Sequence, residues 1–274
     1  MAEIDDFARS VGQLIGRVNP PDEWRPGLHV DDRSAALSTG LAALGWEELA
    51  AGEVEMLPFL AMGAVELGRR ATTPFDVVRL LGGSPLVGEF AMYAGPGESV
   101  AIPREGGGYQ LTVVTDATPV PFADSLGVHR VLALHTAEAT PGGEAQQAAW
   151  EAAAVGYLAG LAGGAVDMAI EHARSREIFG KTLAHIDAVQ QRIADAATTA
   201  EALVLSAREG AHGLPALAHA SSSVWQVMSH AHLIFGAIGF TLEFPLQRYS
   251  RRTKAFGAFV DGWIDQKVAE TTAA

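Results

Sequence analysis

The chain has 274 residues, of which 49% are hydrophobic and 19% charged, so it can fold around a substantial core and disorder is excluded as its main state. Its 32 acidic residues outnumber its 19 basic ones, and the formal charge of −13 argues against a nucleic-acid partner. There is no cysteine, which excludes disulfides, thiolate nucleophiles and cysteine-bound metals, and no metal site is predicted.

The first zone, residues 1–82, has the periodicity of amphipathic helices and is predicted to be an N-terminal helical domain. Apolar residues recur at intervals of three and four, as in Phe7, Val11 and Leu14. Pro20 and Pro21 separate the first helix from the second. The first ten residues are acidic, whereas a secretory signal begins with a basic segment, so a cytoplasmic location is expected.

The second zone, residues 83–140, consists of short β-branched runs separated by glycine, proline and aspartate. Residues 99–102, 109–115 and 128–134 are predicted strands, and the segment from Arg104 to Gly108 is the predicted turn of a hairpin. The zone is long enough for four to six strands, which predicts a reduced β domain.

The third zone, residues 141–274, has four long helical patterns, at about 144–176, 183–211, 214–235 and 246–270. Short connections between long helices favour an antiparallel four-helix bundle. Glycines interrupt the charge-free stretch 152–166, and a bilayer span needs about 20 apolar residues, so a buried helix is expected and no membrane span. The expected fold class is mostly α, with a small β middle domain.

Two motifs in the third zone resemble the signature of a known family. Arg176, Phe179 and Gly180 fit an R-x-x-F-G pattern, and the segment from His232 to Glu243 fits Q-x-x-G-G-x-G. In this order and at this separation, the motifs resemble those of the acyl-CoA dehydrogenase family. The resemblance implies N-terminal helices, a middle β domain and a C-terminal four-helix bundle.

The resemblance also implies an FAD site that is shared between subunits. In that family the arginine of the first motif contacts the flavin diphosphate of a neighbouring subunit, and this is the implied role of Arg176. The implied position of Phe179 is against the flavin nucleotide. The glycine-rich turn lets the backbone approach the cofactor closely, so Gly236 and Gly239 are the corresponding cofactor-binding residues.

Simpler interpretations exist for the same residues. Arg176 is also the kind of cation that the macrodipole favours at a helix C-terminus, with Gly180 as the glycine that ends the same helix. Phe179 and Phe240 are equally well interpreted as core aromatics.

The sequence departs from the family at the catalytic base, so no catalytic residue is predicted. The two family positions for the base carboxylate fall on Val260 and Trp150, neither of which can accept a proton. Asp261 and Glu151 each lie one residue away, which turns the side chain by about 100° on a helix. Both are expected to be solvated or ion-paired. Leu233 replaces the glutamine that hydrogen-bonds the flavin nucleotide.

These departures resemble the short, degenerate subunits of the heterotetrameric α2β2 acyl-CoA dehydrogenases of actinobacterial steroid catabolism. The resemblance implies an accessory, non-catalytic subunit. Its implied partner is a full-length acyl-CoA dehydrogenase subunit with which it shares FAD, and the implied substrate of the complex is a bulky, steroid-derived acyl-CoA.

Two alternatives belong to other functional classes. One is a homo-oligomeric flavoenzyme that uses Glu151 or Asp261 as a displaced base, and the other is a flavin-free binding or scaffold protein of the same fold. The chain is expected to oligomerise. Extra surface is expected to be buried against another subunit by the small residues of 156–164 and the apolar side chains of 224–228.

Overall fold

A computed structural model describes residues 2–18, 30–104, 108–121, 127–135, 140–241 and 243–273. The predicted break at Pro20 and Pro21 lies outside these residues, as do most of the predicted turn between Arg104 and Gly108 and Leu242 of the second motif.

The N-terminal part is helical, as predicted. It contains α1 (Ala2–Val18), α2 (Val30–Ala43), α3 (Trp46–Ala50), a 3₁₀ turn (Val54–Met56), α4 (Leu57–Arg69) and α5 (Phe75–Arg79). The three-and-four spacing of apolar residues in α1 places Val11, Leu14 and Ile15 on one buried face. The buried residues of these helices join those of the C-terminal bundle in one continuous hydrophobic core.

A small sheet follows, with strands β1 (Ser84–Pro85), β2 (Phe90–Met92), β3 (Ser99–Pro103), β4 (Tyr109–Pro119), β5 (Val128–Leu134) and β6 (Thr140–Pro141). The strand order is β1-β3-β4-β5-β2, and β6 pairs with β4. The first half of β4 pairs with β3 and its second half with β5, with register shifts around Asp116. This double pairing extends β4 beyond its predicted end at residue 115. Ala91, Ala94 and Val100 belong to a second, smaller core within the sheet.

The C-terminal part contains four long helices, α6 (Glu144–Ser175), α7 (Asp187–Arg208), α8 (Leu214–Phe235) and α9 (Leu246–Ala273). A hairpin of β7 (Glu177–Ile178) and β8 (Lys181–Thr182) joins α6 to a 3₁₀ turn, and α7 therefore begins four residues later than predicted. Helices, sheet and bundle follow one another as expected, which confirms the mostly α fold class. The domain boundaries after residues 82 and 140 stay a prediction.

Glycines bring α4 and α6 into close contact. A Cβ atom at Gly156, Gly160 or Gly164 would collide with backbone oxygens of α4, and one at Gly68 would collide with the backbone of α6. Helix α6 is long and apolar enough to cross a membrane by length and composition, but most of its apolar window is buried inside the protein. Its apolar surface therefore belongs to the core, as expected of a buried helix.

The prediction that residues 156–164 and 224–228 carry extra surface for another subunit is wrong in its reasoning. The glycines already pack on α4, and the side chains of Val224, Val227 and Met228 are buried in the core of the same chain. Of the apolar side chains invoked in α8, Trp225 is the exposed one. Sequence periodicity identifies an apolar face but does not show which element covers it.

We expect the change Gly160→Ala to lower the free energy of unfolding by about 1–3 kcal/mol, because the added methyl group forces α4 and α6 apart. The control is Gly16→Ala in α1, where a Cβ would have nothing within 4 Å. That change is expected to raise stability by about 0.4–1 kcal/mol. Urea denaturation followed by circular dichroism measures both, and equal effects would contradict the close packing of the two helices.

Candidate functional site

The predicted cofactor residues lie at one end of the bundle. Helix α6 ends just before Arg176, and α8, which runs in the same direction, ends just before Gly236. The ends of the two helices are in contact, because the rings of His172 and Phe235 are 4.3 Å apart between centroids. The fold therefore brings the two sequence motifs together at the same end of the bundle.

Phe179 occupies a strained and exposed position at the tip of the β7–β8 hairpin. Phe179 and Gly180 both have positive φ angles, 52° and 75°, as in a two-residue hairpin turn of type I′. A positive φ is unfavourable for a bulky side chain, and the phenyl ring is 93% exposed. Its interpretation as a core aromatic is therefore wrong, and so is that of Gly180 as the glycine that ends α6.

Arg176 is the residue that ends α6. Its N–H donates to the backbone oxygen of His172 at 2.9 Å, and its carbonyl accepts from Leu183 at 2.8 Å, closing the hairpin. The side chain is exposed, and its guanidinium has no hydrogen-bond or ion-pair partner among the described residues. Burial lowers the pKa of His172, and the nearby charge of Arg176 lowers it further, so this imidazole is neutral at pH 7. The N–H donors of the Arg176 guanidinium are therefore exposed to solvent and available to a ligand.

The glycine-rich turn forms a 3₁₀ helix, Gly236–Phe240, after α8. Gly236 has φ 64°, and a Cβ there would have no neighbour within 4 Å, so its backbone is open to a ligand. Gly239 is buried, and a Cβ there would press on Phe235 and His232. The close approach that Gly239 permits is therefore one between parts of this chain.

Phe240 and Leu233 extend an apolar surface beside the turn. The ring of Phe240 stacks on His232 at 4.4 Å between centroids but is 71% exposed, so its interpretation as a core aromatic is also wrong. The Nε2 atom of His232 lies 2.6 Å from the hydroxyl of Ser250, which holds the imidazole in place. Leu233 is 61% exposed. We define the bundle-end surface as Arg176, Phe179, Leu233, Gly236, Ile238 and Phe240.

The bundle-end surface fits one half of a dinucleotide site. Arg176 offers the planar donors that bind a diphosphate, and Gly236 offers an unobstructed backbone. The exposed rings of Phe179 and Phe240 offer apolar contact to a nucleotide. Leu233 contributes no hydrogen bond. The residues therefore fit the nucleotide part of FAD, held mainly by charge and apolar contact.

The two family positions of the catalytic base lie in the core. Trp150 and Val260 are both 0% exposed. Trp150 packs edge-on against Trp263 at 5.3 Å between centroids, and Trp263 packs against Tyr109 of β4 at 5.8 Å. The hydroxyl of Tyr109 donates to the carbonyl of Leu81 at 2.9 Å, and burial raises the pKa of this phenol to about 12. Buried apolar side chains therefore occupy the two positions where the family has a carboxylate.

The sequence indicated only part of this aromatic cluster. Trp263 lies three residues after Val260, so helical spacing places both side chains on one face of α9. Tyr109 comes from a strand more than 150 residues earlier in the chain, and no local pattern connects it to the two tryptophans.

The neighbouring carboxylates have different environments. Asp261 is exposed, as expected, and lines a groove between α8 and α9. Glu151 is not solvated, because it is 3% exposed, and its charge acts on that of Lys267. Its carboxylate accepts hydrogen bonds of 2.8 Å from the backbone N–H of Gly213 and from the side chain of Gln147. Glu151 therefore anchors the start of α8.

We expect Glu151→Ala to lower the free energy of unfolding by about 1–3 kcal/mol, because the N–H of Gly213 then loses its acceptor. Glu201→Ala is the matched control, since Glu201 is an exposed glutamate within α7. The control is expected to change stability by less than about 0.5 kcal/mol. Thermal and urea denaturation measure both variants, and a neutral Glu151→Ala would show that this hydrogen bond does not anchor α8.

Sequence comparisons point to the same family as the motifs. Residues 145–262 match the model of the acyl-CoA dehydrogenase C-terminal domain. Over 107 residues the chain is 34% identical to cyclohex-1-ene-1-carbonyl-CoA dehydrogenase of Syntrophus aciditrophicus, a match covering 35% of this chain and 26% of that protein. The matching part thus spans about a quarter of the length of this curated relative.

Solved structures of similar fold cover nearly the whole chain. The ChsE4-ChsE5 complex from Mycobacterium tuberculosis contains a chain with a TM-score of 0.70 and 16% identity, covering 97% of this chain and 95% of that one. A variant of the Tcur3481-Tcur3483 steroid ACAD gives a TM-score of 0.62 and 18% identity, and the match covers 100% of this chain and 99% of that one. Identities this low establish the fold alone. Residues 145–262 therefore match the C-terminal domain of the acyl-CoA dehydrogenase family, and the whole chain shares its fold with solved structures of such dehydrogenases.

Proposed function

We propose that this protein is an accessory, non-catalytic subunit of an FAD-dependent acyl-CoA dehydrogenase complex in the cytoplasm. Its partner is a full-length acyl-CoA dehydrogenase subunit, and the two form an α2β2 heterotetramer. The bundle-end surface binds the nucleotide part of an FAD that the partner holds at the flavin ring. The substrate is a bulky acyl-CoA, of which a steroid-derived thioester is the leading candidate.

One contrast carries this proposal. The family's base positions are filled by Trp150 and Val260, both 0% exposed, whereas Arg176 and Phe179 stay exposed and Phe179 adopts a costly backbone conformation. A stable fold gains nothing from exposing a phenyl ring on a left-handed turn residue. The chain therefore has a surface suited to contacting a cofactor, but at the two family positions it lacks the carboxylate that removes the substrate proton.

Within the complex, the residues of this chain bind and orient FAD. Arg176 donates to the cofactor diphosphate, and the open backbone at Gly236 allows the nucleotide to lie close to the turn. The exposed rings of Phe179 and Phe240 cover apolar faces of the nucleotide and exclude water from them. Bound FAD supplies the hydride acceptor for α,β-dehydrogenation of the thioester. The partner provides the carboxylate that takes the α-proton.

The structural neighbours support the choice of partner and substrate. One is described as a complex of two differently named chains, and another is described as a steroid ACAD with two chain names. Their folds match this chain over almost its full length, so a short chain of this fold is compatible with a heteromeric acyl-CoA dehydrogenase.

The test compares this chain alone with the same chain co-expressed with a full-length acyl-CoA dehydrogenase subunit from its source organism. We expect the chain alone to be colourless, and the co-purified complex to be a yellow heterotetramer with about one FAD per pair of chains. Light scattering gives the mass, and absorbance in the flavin band gives the FAD content. A flavin-loaded homotetramer of this chain would favour the homo-oligomeric enzyme, and a colourless complex would favour the scaffold protein.

A further inference from the structure

A half-open cavity of about 590 Å³ lies at the same end of the bundle and adjoins the bundle-end surface, since Ser175 and Phe235 line it. The end of α4, the last turns of α6 and the start of α9 enclose it. None of the six residues that define the bundle-end surface lines it. Its volume is within the range of about 300–1,000 Å³ that is typical of small-molecule sites.

Three rings form one wall of the cavity. His172 packs against Phe235 at 4.3 Å between centroids and edge-on against Phe244 at 6.2 Å, and the two phenyl rings are 4.9 Å apart. Because burial lowers the pKa of His172, its imidazole is neutral at pH 7. The wall is therefore uncharged and suits a flat apolar group.

Three arginines, Arg69, Arg70 and Arg248, line the same cavity, together with one carboxylate, that of Glu171. The Nε and Nη2 atoms of Arg69 lie 2.9 and 2.8 Å from a single oxygen of Asp167, and this pair fixes the guanidinium at the cavity. Glu66, also outside the lining, accepts a hydrogen bond from Nη1 of Arg70.

The lining has three guanidinium groups and one carboxylate, and Asp167 and Glu66 beside it balance the remaining charge. A guanidinium has five N–H donors, so the ion pair of Arg69 leaves donors for a further anion. The hydroxyl of Tyr249 donates to the backbone oxygen of Arg69 at 2.8 Å, which connects α9 to the end of α4 at the cavity.

We propose that this cavity binds a small organic anion whose carboxylate or phosphate meets the arginines and whose flat ring lies on the aromatic wall. All the residues that line this cavity belong to this chain, and none of them is among the six that define the bundle-end surface. Two sources share this chemistry, a cyclic carboxylic acid and an adenine nucleotide.

Calorimetry with the full-length chain tests the proposal with three probes, 2-naphthoate, AMP and the neutral 2-naphthamide. We expect at least one of the two anions to bind with a Kd below about 1 mM, and the amide to bind at least about tenfold more weakly. Binding of 2-naphthoate alone identifies a carboxylate site, and binding of AMP alone identifies a nucleotide site. The absence of anion binding, or equal binding of the amide, would overturn the proposal.

Two variants locate the site. Arg69→Gln removes the guanidinium but keeps the backbone oxygen that Tyr249 uses, and we expect it to weaken anion binding about tenfold. Arg9→Gln is the matched control, because Arg9 is an exposed arginine in α1 that pairs with Asp6 outside the cavity. If thermal melting shows that Arg69→Gln is unfolded, Phe244→Leu replaces it and is expected to weaken binding by removing a ring from the wall. Equal effects of the cavity and control variants would show binding elsewhere.

Discussion

The purified chain, supplied with FAD, is expected to show no acyl-CoA dehydrogenase turnover. The two positions at which the family places its base hold Trp150 and Val260, which are both fully buried, and Trp150 packs against Trp263. Removing a general base commonly lowers a rate by about 10²–10⁴-fold, which takes a dehydrogenase to background. A dye-reduction assay with a panel of acyl-CoAs, including steroid-derived thioesters, measures the turnover.

The same assay on the co-expressed complex identifies the chain that supplies the base. Glu151→Gln and Asp261→Asn in this chain are expected to change kcat by less than about twofold. The carboxylate of Glu151 is used to bind the backbone N–H of Gly213, and that of Asp261 is exposed to solvent. Replacing the partner's base glutamate by glutamine is expected to abolish turnover. Turnover by this chain alone that either of its own two variants abolishes would establish a displaced base and contradict the proposed function.

The change Arg176→Ala is expected to lower the affinity of the complex for FAD by about tenfold to a hundredfold. Charge-assisted hydrogen bonds contribute about 1.5–3 kcal/mol each, and the guanidinium has no partner among the described residues that could compensate. FAD content is measured at limiting FAD after gel filtration. The melting temperature of the apoprotein is expected to stay unchanged, because the side chain is exposed.

Arg174→Ala is the matched control for this prediction. Arg174 is an exposed arginine in the last turn of the same helix, so its removal costs the same charge at the same helix end. It is expected to leave the FAD content unchanged. Arg176→Lys is expected to give an intermediate loss, since lysine keeps the charge but not the planar fork. If all three variants retain FAD equally, Arg176 is only a helix-end cation.

The sequence by itself determined the type and order of the elements. The predicted strand at 128–134 and helix at 214–235 have the same bounds in the structure, because both follow from short-range periodicity and from the residues that interrupt it. The two motifs also located the candidate site. In an antiparallel bundle, the ends of the first and third helices lie at the same end, so their spacing along the chain was sufficient to bring Arg176 and Gly236 together.

Only the tertiary structure decided which surfaces are covered and which carboxylates have partners. The glycines of α6 serve a contact with α4, which is about 95 residues earlier, and Glu151 binds a backbone N–H that is 62 residues later. The exposure of Phe179 and the burial of Trp150 and Val260 at the two base positions depend on the same kind of long-range packing. Side-chain periodicity describes one helix or strand at a time, whereas burial is a property of two or more elements in contact.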